Sequence, residues 1–362
     1  MKKFSYLAAS LMLTVAVTAA PALARNNFNN ALTQQAQMSD EERKAYEGIY
    51  QPCFGKEKND EKCYPLAKDF AEKFPNSQYI KYVKGKIEGI ENTRLFNAYQ
   101  DALKKLYDGP GDAIKLEAFL AATTPYVTKF PTDTYAVAQL AMATGNGILA
   151  DYYKDMAKAR EYASKALPAL ESATTPPQGW KAEEWAKFRL EAIGNITLQQ
   201  AGYELRQSTP NVDQALVYLN KIISNKDWPA AKQPPVYLLR AEANNLTYDK
   251  LSSEYRALTE DEKRGEKGKE TLAKIDPVVD AMIDDYARAL AIASKNPAYK
   301  ATADDVRPRL EGFWKYRYGK LDGMDEFIKQ FEADPTLANP QRPAIPAPTQ
   351  TAAPATTTKP KG

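Results

Sequence analysis

The sequence contains no histidine among its 362 residues. This absence excludes the Ser-His and Cys-His pairs of nucleophilic enzymes and the usual zinc sites, because all of them depend on imidazole. The chain also lacks a glycine-rich phosphate loop and a dinucleotide-binding turn. We therefore predict no metal site, no cofactor and no histidine-dependent catalysis.

Long apolar runs are missing after the start of the chain. Residues 1–24 have the form of a secretory signal peptide, in which Lys2 and Lys3 precede an apolar stretch and Ala22-Leu23-Ala24 forms a small-residue cleavage motif. The apolar stretch is shorter than the roughly 20 residues that a membrane-spanning helix needs. We predict cleavage after Ala24, a periplasmic or secreted mature protein, and no membrane insertion.

An excess of basic charge is also missing. The 49 basic residues barely exceed the 46 acidic ones, and two of the basic residues belong to the predicted signal peptide. Nucleic-acid binding needs a concentrated basic face that displaces counterions. We therefore expect no nucleic-acid partner.

Cysteine occurs only twice, at Cys53 and Cys63, on either side of a polar loop that contains glycine. In an oxidising compartment such a pair is typical of a disulfide that ties two helix ends together. The alternatives are a redox dithiol or half of a metal site. Neither has support in the sequence, which lacks a Cys-x-x-Cys spacing and any histidine.

Alternating β-strand patterns are absent, and helical periodicity extends from residue 41 to residue 336. Apolar residues recur three or four positions apart, and Ser39 followed by Glu42 predicts the first helix start. Short loops with proline, glycine and capping residues separate the helical segments. Such loops place neighbouring helices antiparallel, so the sequence predicts an all-α stack of helical hairpins.

Internal similarity indicates a repeat. Lys73-Phe-Pro-Asn-Ser-Gln-Tyr79 is echoed by Lys129-Phe-Pro-Thr-Asp-Thr-Tyr135, and each segment holds a helix end, a capping residue and an entry into the next helix. Three further segments combine small residues with an aromatic or aliphatic residue at helical spacing. They are Ala159–Leu167, Ala215–Ile223 and Tyr286–Leu290.

These three segments resemble the second helix of the tetratricopeptide repeat. The resemblance implies a right-handed solenoid of antiparallel hairpins, whose small residues let paired helices approach closely. A strict period is absent, and the charged stretch 247–275 looks like an insertion. The fold is therefore expected to be an irregular solenoid.

Both ends of the predicted repeat region differ from it in composition. Residues 25–40 are polar and rich in asparagine and glutamine, so we expect a flexible leader. Residues 337–362 are rich in proline, threonine and alanine, and we expect a disordered tail because they offer little to bury.

Two features bear on function beyond the scaffold. Three acidic pairs, Glu183-Glu184, Asp284-Asp285 and Asp304-Asp305, are candidates for a hydrolase that uses carboxylates alone, although adjacent helical residues point about 100° apart. The 22 tyrosines and four tryptophans favour recognition of a peptide or a glycan. The candidate binding aromatics are Trp180, Trp185, Trp314 and Tyr318.

The resemblance to tetratricopeptide repeats favours a non-catalytic scaffold that binds a protein partner in the cell envelope. A glycan- or small-ligand-binding helical module is the alternative, and a carboxylate-dependent hydrolase is a third hypothesis. We predict no catalytic residues.

Overall fold

The structure, a computed structural model, describes residues 38–345 with the exception of Gln178. Within this part of the chain every regular element is a helix, and none of the described residues forms a strand. The predicted all-α class is thereby confirmed. The predicted signal peptide and most of the predicted leader lie outside the described residues.

The described chain divides into two compact units between Asp133 and Thr134. We call residues 38–133 the N-terminal unit and residues 134–345 the C-terminal unit. The N-terminal unit contains α1 (Asp40–Cys53), α2 (Asp60–Lys73), α3 (Ile80–Leu106) and α4 (Ala113–Lys129). The C-terminal unit contains α5 (Thr134–Leu149), α6 (Met156–Ser172), α7 (Ala182–Leu205), α8 (Val212–Ser224), α9 (Pro234–Ala257), α10 (Glu260–Arg264), α11 (Glu266–Ser294), α12 (Lys300–Tyr318) and α13 (Met324–Ala333).

Short polar side chains start several of these helices. Ser39 accepts a hydrogen bond from the backbone N–H of Glu42 at 3.1 Å, as the sequence predicts. The same role falls to Asn59, Asp112, Asp155 and Asn211 at the starts of α2, α4, α6 and α8. Each cap satisfies an N–H group that has no partner within the first helical turn.

The repeated Lys-Phe-Pro segment forms the same helix exit twice. Phe74 follows α2 with φ −124° and ψ 60°, and Phe130 follows α4 with φ −123° and ψ 65°. Each phenylalanine donates its backbone N–H to the carbonyl four residues earlier, that of Phe70 or Tyr126. Each ring also packs against that earlier ring, with centroids 5.2 and 5.0 Å apart. The sequence echo therefore corresponds to one local structure used twice.

The disulfide lies in the core of the N-terminal unit. Cys53 ends α1 and Cys63 lies near the start of α2, with their Cα atoms 4.9 Å apart. The predicted pairing is present. Around it pack Ile49, Ala67, Phe70, Val83 and Ile90. Closing so short a ring contributes about 2–3 kcal/mol by restricting the unfolded chain.

Small residues let α5 and α7 pack closely in the C-terminal unit. A Cβ atom on Gly145 would clash with the side chain of Gln199, and one on Gly202 would clash with Leu149. The close approach allows Nε2 of Gln199 to donate to the carbonyl of Met142 at 3.0 Å. Glycine at these two positions lets Gln199 and Leu149 keep their side-chain positions between the helices.

The segments that resemble tetratricopeptide repeats lie on α6, α8 and α11. Each of these helices packs on an earlier helix, α6 on α5, α8 on α7 and α11 on α9. The residues that carry the resemblance are largely buried. They are Ala159, Tyr162, Ala163 and Ala166 on α6, Ala215, Leu219 and Ile222 on α8, and Tyr286, Ala289 and Leu290 on α11.

The charged stretch 247–275 is helical, although the sequence suggested an insertion between repeats. It comprises the end of α9, the short α10 and the start of α11. Thr259 and Glu262 form a reciprocal capping box that starts α10. Favourable charge placement and this cap allow a strongly polar segment to remain helical.

The predicted boundary of the disordered tail at Leu337 is too early. Leu337 packs against the core formed by α11, α12 and α13. Arg342 donates from Nη2 to Oδ1 of Asp284 at 2.6 Å. A proline-rich composition did not reveal these two anchors, and residues 346–362 lie outside the described residues.

We expect Gly194→Ala to destabilise the C-terminal unit by about 1–3 kcal/mol, because overpacking strains a well-filled contact. The new Cβ would lie 2.9 Å from Cβ of Ala230, which cannot rotate away. Gly312→Ala is the matched control, since a Cβ there meets nothing within 4 Å, and it should stabilise the unit by about 0.5–1 kcal/mol. Denaturant unfolding followed by tryptophan fluorescence reports on this unit, which holds Trp180, Trp185, Trp228 and Trp314. Equal stability of the two variants would contradict the close contact.

Candidate functional site

Five aromatic side chains form a surface cluster on the N-terminal unit, which we call the tyrosine face. Tyr46, Tyr50 and Phe54 follow one another at intervals of four residues along α1 and just beyond its end. Tyr79 immediately precedes α3, and Tyr82 lies in its first turn. Residues four apart lie on one face of a helix, so α1 presents its three rings as a row.

Four rings of the tyrosine face, those of Tyr46, Tyr50, Phe54 and Tyr79, are in contact with one another. Tyr46 stacks on Tyr79 with ring centroids 4.0 Å apart and planes 15° from parallel. Tyr46 also lies 6.3 Å from Tyr50 and 6.5 Å from Phe54. Beneath the row, Tyr46 meets the buried ring of Phe70 at 5.8 Å. The outer rings therefore rest on a packed aromatic base.

The outermost rings are open to solvent. Tyr82 is 64% exposed and Tyr50 is 41% exposed, whereas Tyr46, Phe54 and Tyr79 are half-buried. Large apolar side chains that remain exposed in a cluster are typical of interaction surfaces. Tyrosine suits this role because it combines an apolar ring with a hydroxyl that can hydrogen-bond to a partner.

Burial makes the hydroxyl of Tyr46, the central ring of the tyrosine face, a weaker acid than an ordinary tyrosine. It raises the pKa of the Tyr46 hydroxyl to about 12, and the neighbouring hydroxyls of Tyr79, Tyr50 and Tyr82 add to the rise. A phenolate in this position would lose solvation and meet its neighbours' negative charge. Tyr46 is therefore neutral at ordinary pH and keeps its hydrogen-bond donor.

The disulfide fixes the tyrosine face to the core. Cys53 immediately precedes Phe54, and its bond to Cys63 holds the end of α1 against α2. The loop that follows is closed by a hydrogen bond of 2.8 Å from the N–H of Asn59 to the carbonyl of Pro52. These constraints limit the freedom of the end of the aromatic row.

Three of the four predicted binding aromatics are core residues, which corrects that prediction. Trp185 is 1% exposed and donates from Nε1 to the carbonyl of Ala173 at 2.8 Å. Trp314 is fully buried, and Tyr318 is 4% exposed beside it with the ring centroids 4.4 Å apart. Their ring faces are used in helix packing and present no surface to a ligand.

Trp180 is the predicted aromatic that keeps part of its surface exposed. It contacts Tyr135 at 5.2 Å, Trp185 at 5.5 Å and Phe188 at 5.7 Å between ring centroids. The cluster joins the starts of α5 and α7 with the loop before α7. Its solvent-exposed part is the half-buried ring of Trp180, whereas the tyrosine face has two exposed rings.

Two of the three acidic pairs lie on helix surfaces. Glu183 and Glu184 are exposed in the first turn of α7, where negative charge favours the helix. Asp304 and Asp305 are exposed on α12, and Asp305 forms an ion pair of 2.9 Å with Arg309 one turn later. Both arrangements have the form of solvated helix faces.

The third acidic pair is buried and held by arginines. Asp285 of α11 is fully buried, and Arg240 of α9 contacts both of its oxygens, with distances of 2.6 to 3.0 Å. Asp284 accepts from Arg342 at 2.6 Å. Burial raises the pKa of Asp285 to about 6 against the opposing charge of Arg240, and burial likewise raises the pKa of Asp284. The geometry holds helices together through paired charges.

No cluster of three or more His, Cys, Asp or Glu side chains in residues 38–345 could hold a metal ion. Among the described helices, none has both the length and the apolarity to cross a membrane. Comparison of the chain with family models, curated proteins and solved structures finds no match.

Sequence reasoning missed the tyrosine face as a site. Its signal was the spacing of Tyr46, Tyr50 and Phe54 by four residues, along and just beyond a helix with charged residues at half of its other positions. Tyr79 was visible as the end of the repeated segment. Its stacking on Tyr46 could not be read from the sequence, because that contact depends on how α1 and α3 are placed.

We expect the absorbance of tyrosinate to show that Tyr46 ionises late. The titration of wild type minus that of Tyr46→Phe should have a midpoint near pH 12. Because this folded value lies above the unfolded value of about 10, the stability that neutral Tyr46 contributes is complete below pH 10 and is lost as the pH rises through 12. In urea-unfolded protein the same difference curve should move to about pH 10. A midpoint near 10 in the folded protein would contradict the stacked, desolvated position of Tyr46.

Proposed function

We propose that this chain is an exported, non-catalytic helical-repeat scaffold that binds a protein partner of the cell envelope through the tyrosine face. The observation that carries the proposal is the exposure of Tyr50 and Tyr82 beside the stacked rings of Tyr46 and Tyr79. An exposed aromatic cluster favours aggregation unless it serves as a binding surface. Its presence here is therefore best explained by a partner that covers it.

The chemistry of the tyrosine face favours a protein partner. Tyrosine is enriched at the centres of protein interfaces, where a ring fills a pocket and the hydroxyl finds a polar group. A side chain with two rotatable bonds also loses little entropy on binding. Stacking of Tyr46 on Tyr79 and the nearby disulfide reduce that cost further, since the surface is organised before the partner arrives.

The helix order supports the scaffold part of the proposal. In the C-terminal unit α5 packs on both α6 and α7, and α7 packs on both α8 and α9. This order of contacts is typical of a solenoid of antiparallel hairpins, in which each repeat touches its neighbours. Burial of the small residues on α6 and α8 supports the proposed likeness to tetratricopeptide repeats, with irregular spacing.

The disulfide supports the proposed compartment. Disulfides persist in oxidising compartments and are rare where thiols are kept reduced. Together with the signal-like start of the chain, the Cys53–Cys63 bond favours a periplasmic or secreted protein. We therefore place the partner in the same compartment.

Glycan binding is the second candidate function, and the half-buried ring of Trp180 favours it. A sugar ring can stack on an indole face that three other aromatics hold in place. The photo-crosslinking experiment described next separates the two functions. If the ligand is a glycan bound at Trp180, no protein should be captured through the tyrosine face.

We expect a photo-crosslinking phenylalanine analogue at position 82 to capture one protein in intact cells. The analogue resembles tyrosine in shape, and Tyr82 has the most exposed ring of the tyrosine face. The matched control carries the analogue at Ile114, which is 80% exposed on α4. Since α4 begins just after α3 ends, and Tyr82 lies at the start of α3, the two positions are about 35 Å apart along that helix.

A discrete cross-linked protein at position 82 and none at position 114 is the expected result. Tyr50→Ala in the same chain should reduce its yield at least about tenfold, since a central aromatic typically contributes 2 kcal/mol or more. Equal capture at both positions, or none at position 82, would contradict the proposal.

A further inference from the structure

A non-helical segment at the end of the described chain is held mainly by side chains of the preceding helices. We call residues 334–343, which follow α13, the strap. Arg288 of α11 donates from Nη1 to the carbonyl of Pro335 at 2.7 Å and from Nη2 to the carbonyl of Leu337. Gln330 of α13 forms a reciprocal pair with the backbone of Gln341, at 2.9 and 2.7 Å. Helix side chains thus grip the main chain of the strap at three residues.

Two side chains of the strap are also held. Leu337 packs against the core of α11, α12 and α13. Arg342 donates to Oδ1 of Asp284 at 2.6 Å, lies 3.6 Å from Oδ1 of Asp280, and places its guanidinium 5.5 Å from the ring centre of Phe327. Leu337 therefore lies against an apolar core, and Arg342, five positions later, lies between two aspartates and an aromatic ring.

We infer that the groove between α11 and α13 is a binding site for a non-helical peptide with an apolar residue followed five positions later by arginine, and that the strap occupies it in cis. Side chains that bind main-chain carbonyls and amides, together with an apolar contact and a carboxylate for the guanidinium, can hold such a peptide in one conformation. The strap acts as the template for the ligand. This site lies in the C-terminal unit and does not depend on the tyrosine face.

The charges of the groove match such a ligand. Asp276, Asp280 and Asp284 follow one another at intervals of four residues along α11. Arg317 of α12 contacts Asp276 at 2.7 Å and Asp280 at 2.9 Å, which leaves Asp284 dependent on Arg342 of the strap. A guanidinium from a peptide would complete the row in the same way.

The arginine that holds the strap has one hydrogen-bond donor left unused. Nε of Arg288 is buried and has no hydrogen-bond partner among the described residues. Buried donors usually have partners, and each exception costs stability. The strap therefore leaves one donor of Arg288 unsatisfied, which limits how strongly this residue holds it.

The test uses the full chain and a fluorescent peptide with the sequence of residues 334–345. In wild type the tethered strap competes at a high effective concentration, so the peptide should bind weakly. Arg342→Ala in the chain removes the ion pair of the strap and should strengthen binding of the added peptide at least about tenfold, as read by fluorescence anisotropy. Leu337→Ala in the chain weakens the strap at its other anchor and should have the same effect.

Two controls make the result specific. Gln341→Ala changes only an exposed side chain and retains the backbone contacts with Gln330, so this chain should bind the peptide as weakly as wild type does. A peptide with arginine replaced by alanine should bind the Arg342→Ala chain at least about tenfold less tightly. The inference is overturned if both strap variants, with helical content unchanged, bind the peptide no better than wild type, or if the peptide without arginine binds equally well.

Discussion

The carboxylate of Asp285 is fully buried in α11, and it can remain charged there because Arg240 of α9 contacts both of its oxygens. Nη1 of Arg240 also donates to Asn220 at 3.0 Å, so one guanidinium joins α8, α9 and α11. Removing either partner would leave an uncompensated buried charge, which is among the most costly defects in a protein. The same helix carries the aspartates that hold α12 and the strap. The arrangement of the second half of the C-terminal unit therefore depends on pairing of the aspartates of α11 with arginines from α9, α12 and the strap.

This dependence links the fold to the proposed sites. A peptide groove between α11 and α13 exists only while the aspartate row is fixed and Arg288 is held in position. In the N-terminal unit the disulfide and the Tyr46–Tyr79 stack have the corresponding role for the tyrosine face. Binding surfaces on helices are effective when the helices are held rigidly, since the cost of ordering is then met during folding.

Local features of the fold could be predicted from the sequence, because they depend on residues close together in the chain. The all-α class followed from periodicity, the cap at Ser39 from a serine and a glutamate three residues apart, and the Cys53–Cys63 bond from the compartment and the spacing. Features that depend on pairing of distant helices could not be predicted. Composition marked Trp185 and Trp314 as binding residues, whereas packing buries both. Proline content marked residue 337 onward as disordered, whereas Arg342 meets an aspartate 58 positions earlier.

A double-mutant cycle at Arg240 and Asp285 tests the central claim most directly. We predict that Arg240→Leu and Asp285→Leu each destabilise the C-terminal unit by about 3–5 kcal/mol in denaturant unfolding. The double variant should lose far less than the sum, because apolar side chains of similar size can replace a buried pair at little cost. Arg307→Leu, which breaks an exposed pair of 3.2 Å with Asp325, should change stability by less than about 1 kcal/mol. Additive losses, or single losses no larger than that of Arg307→Leu, would show that the buried pair does not organise this part of the structure.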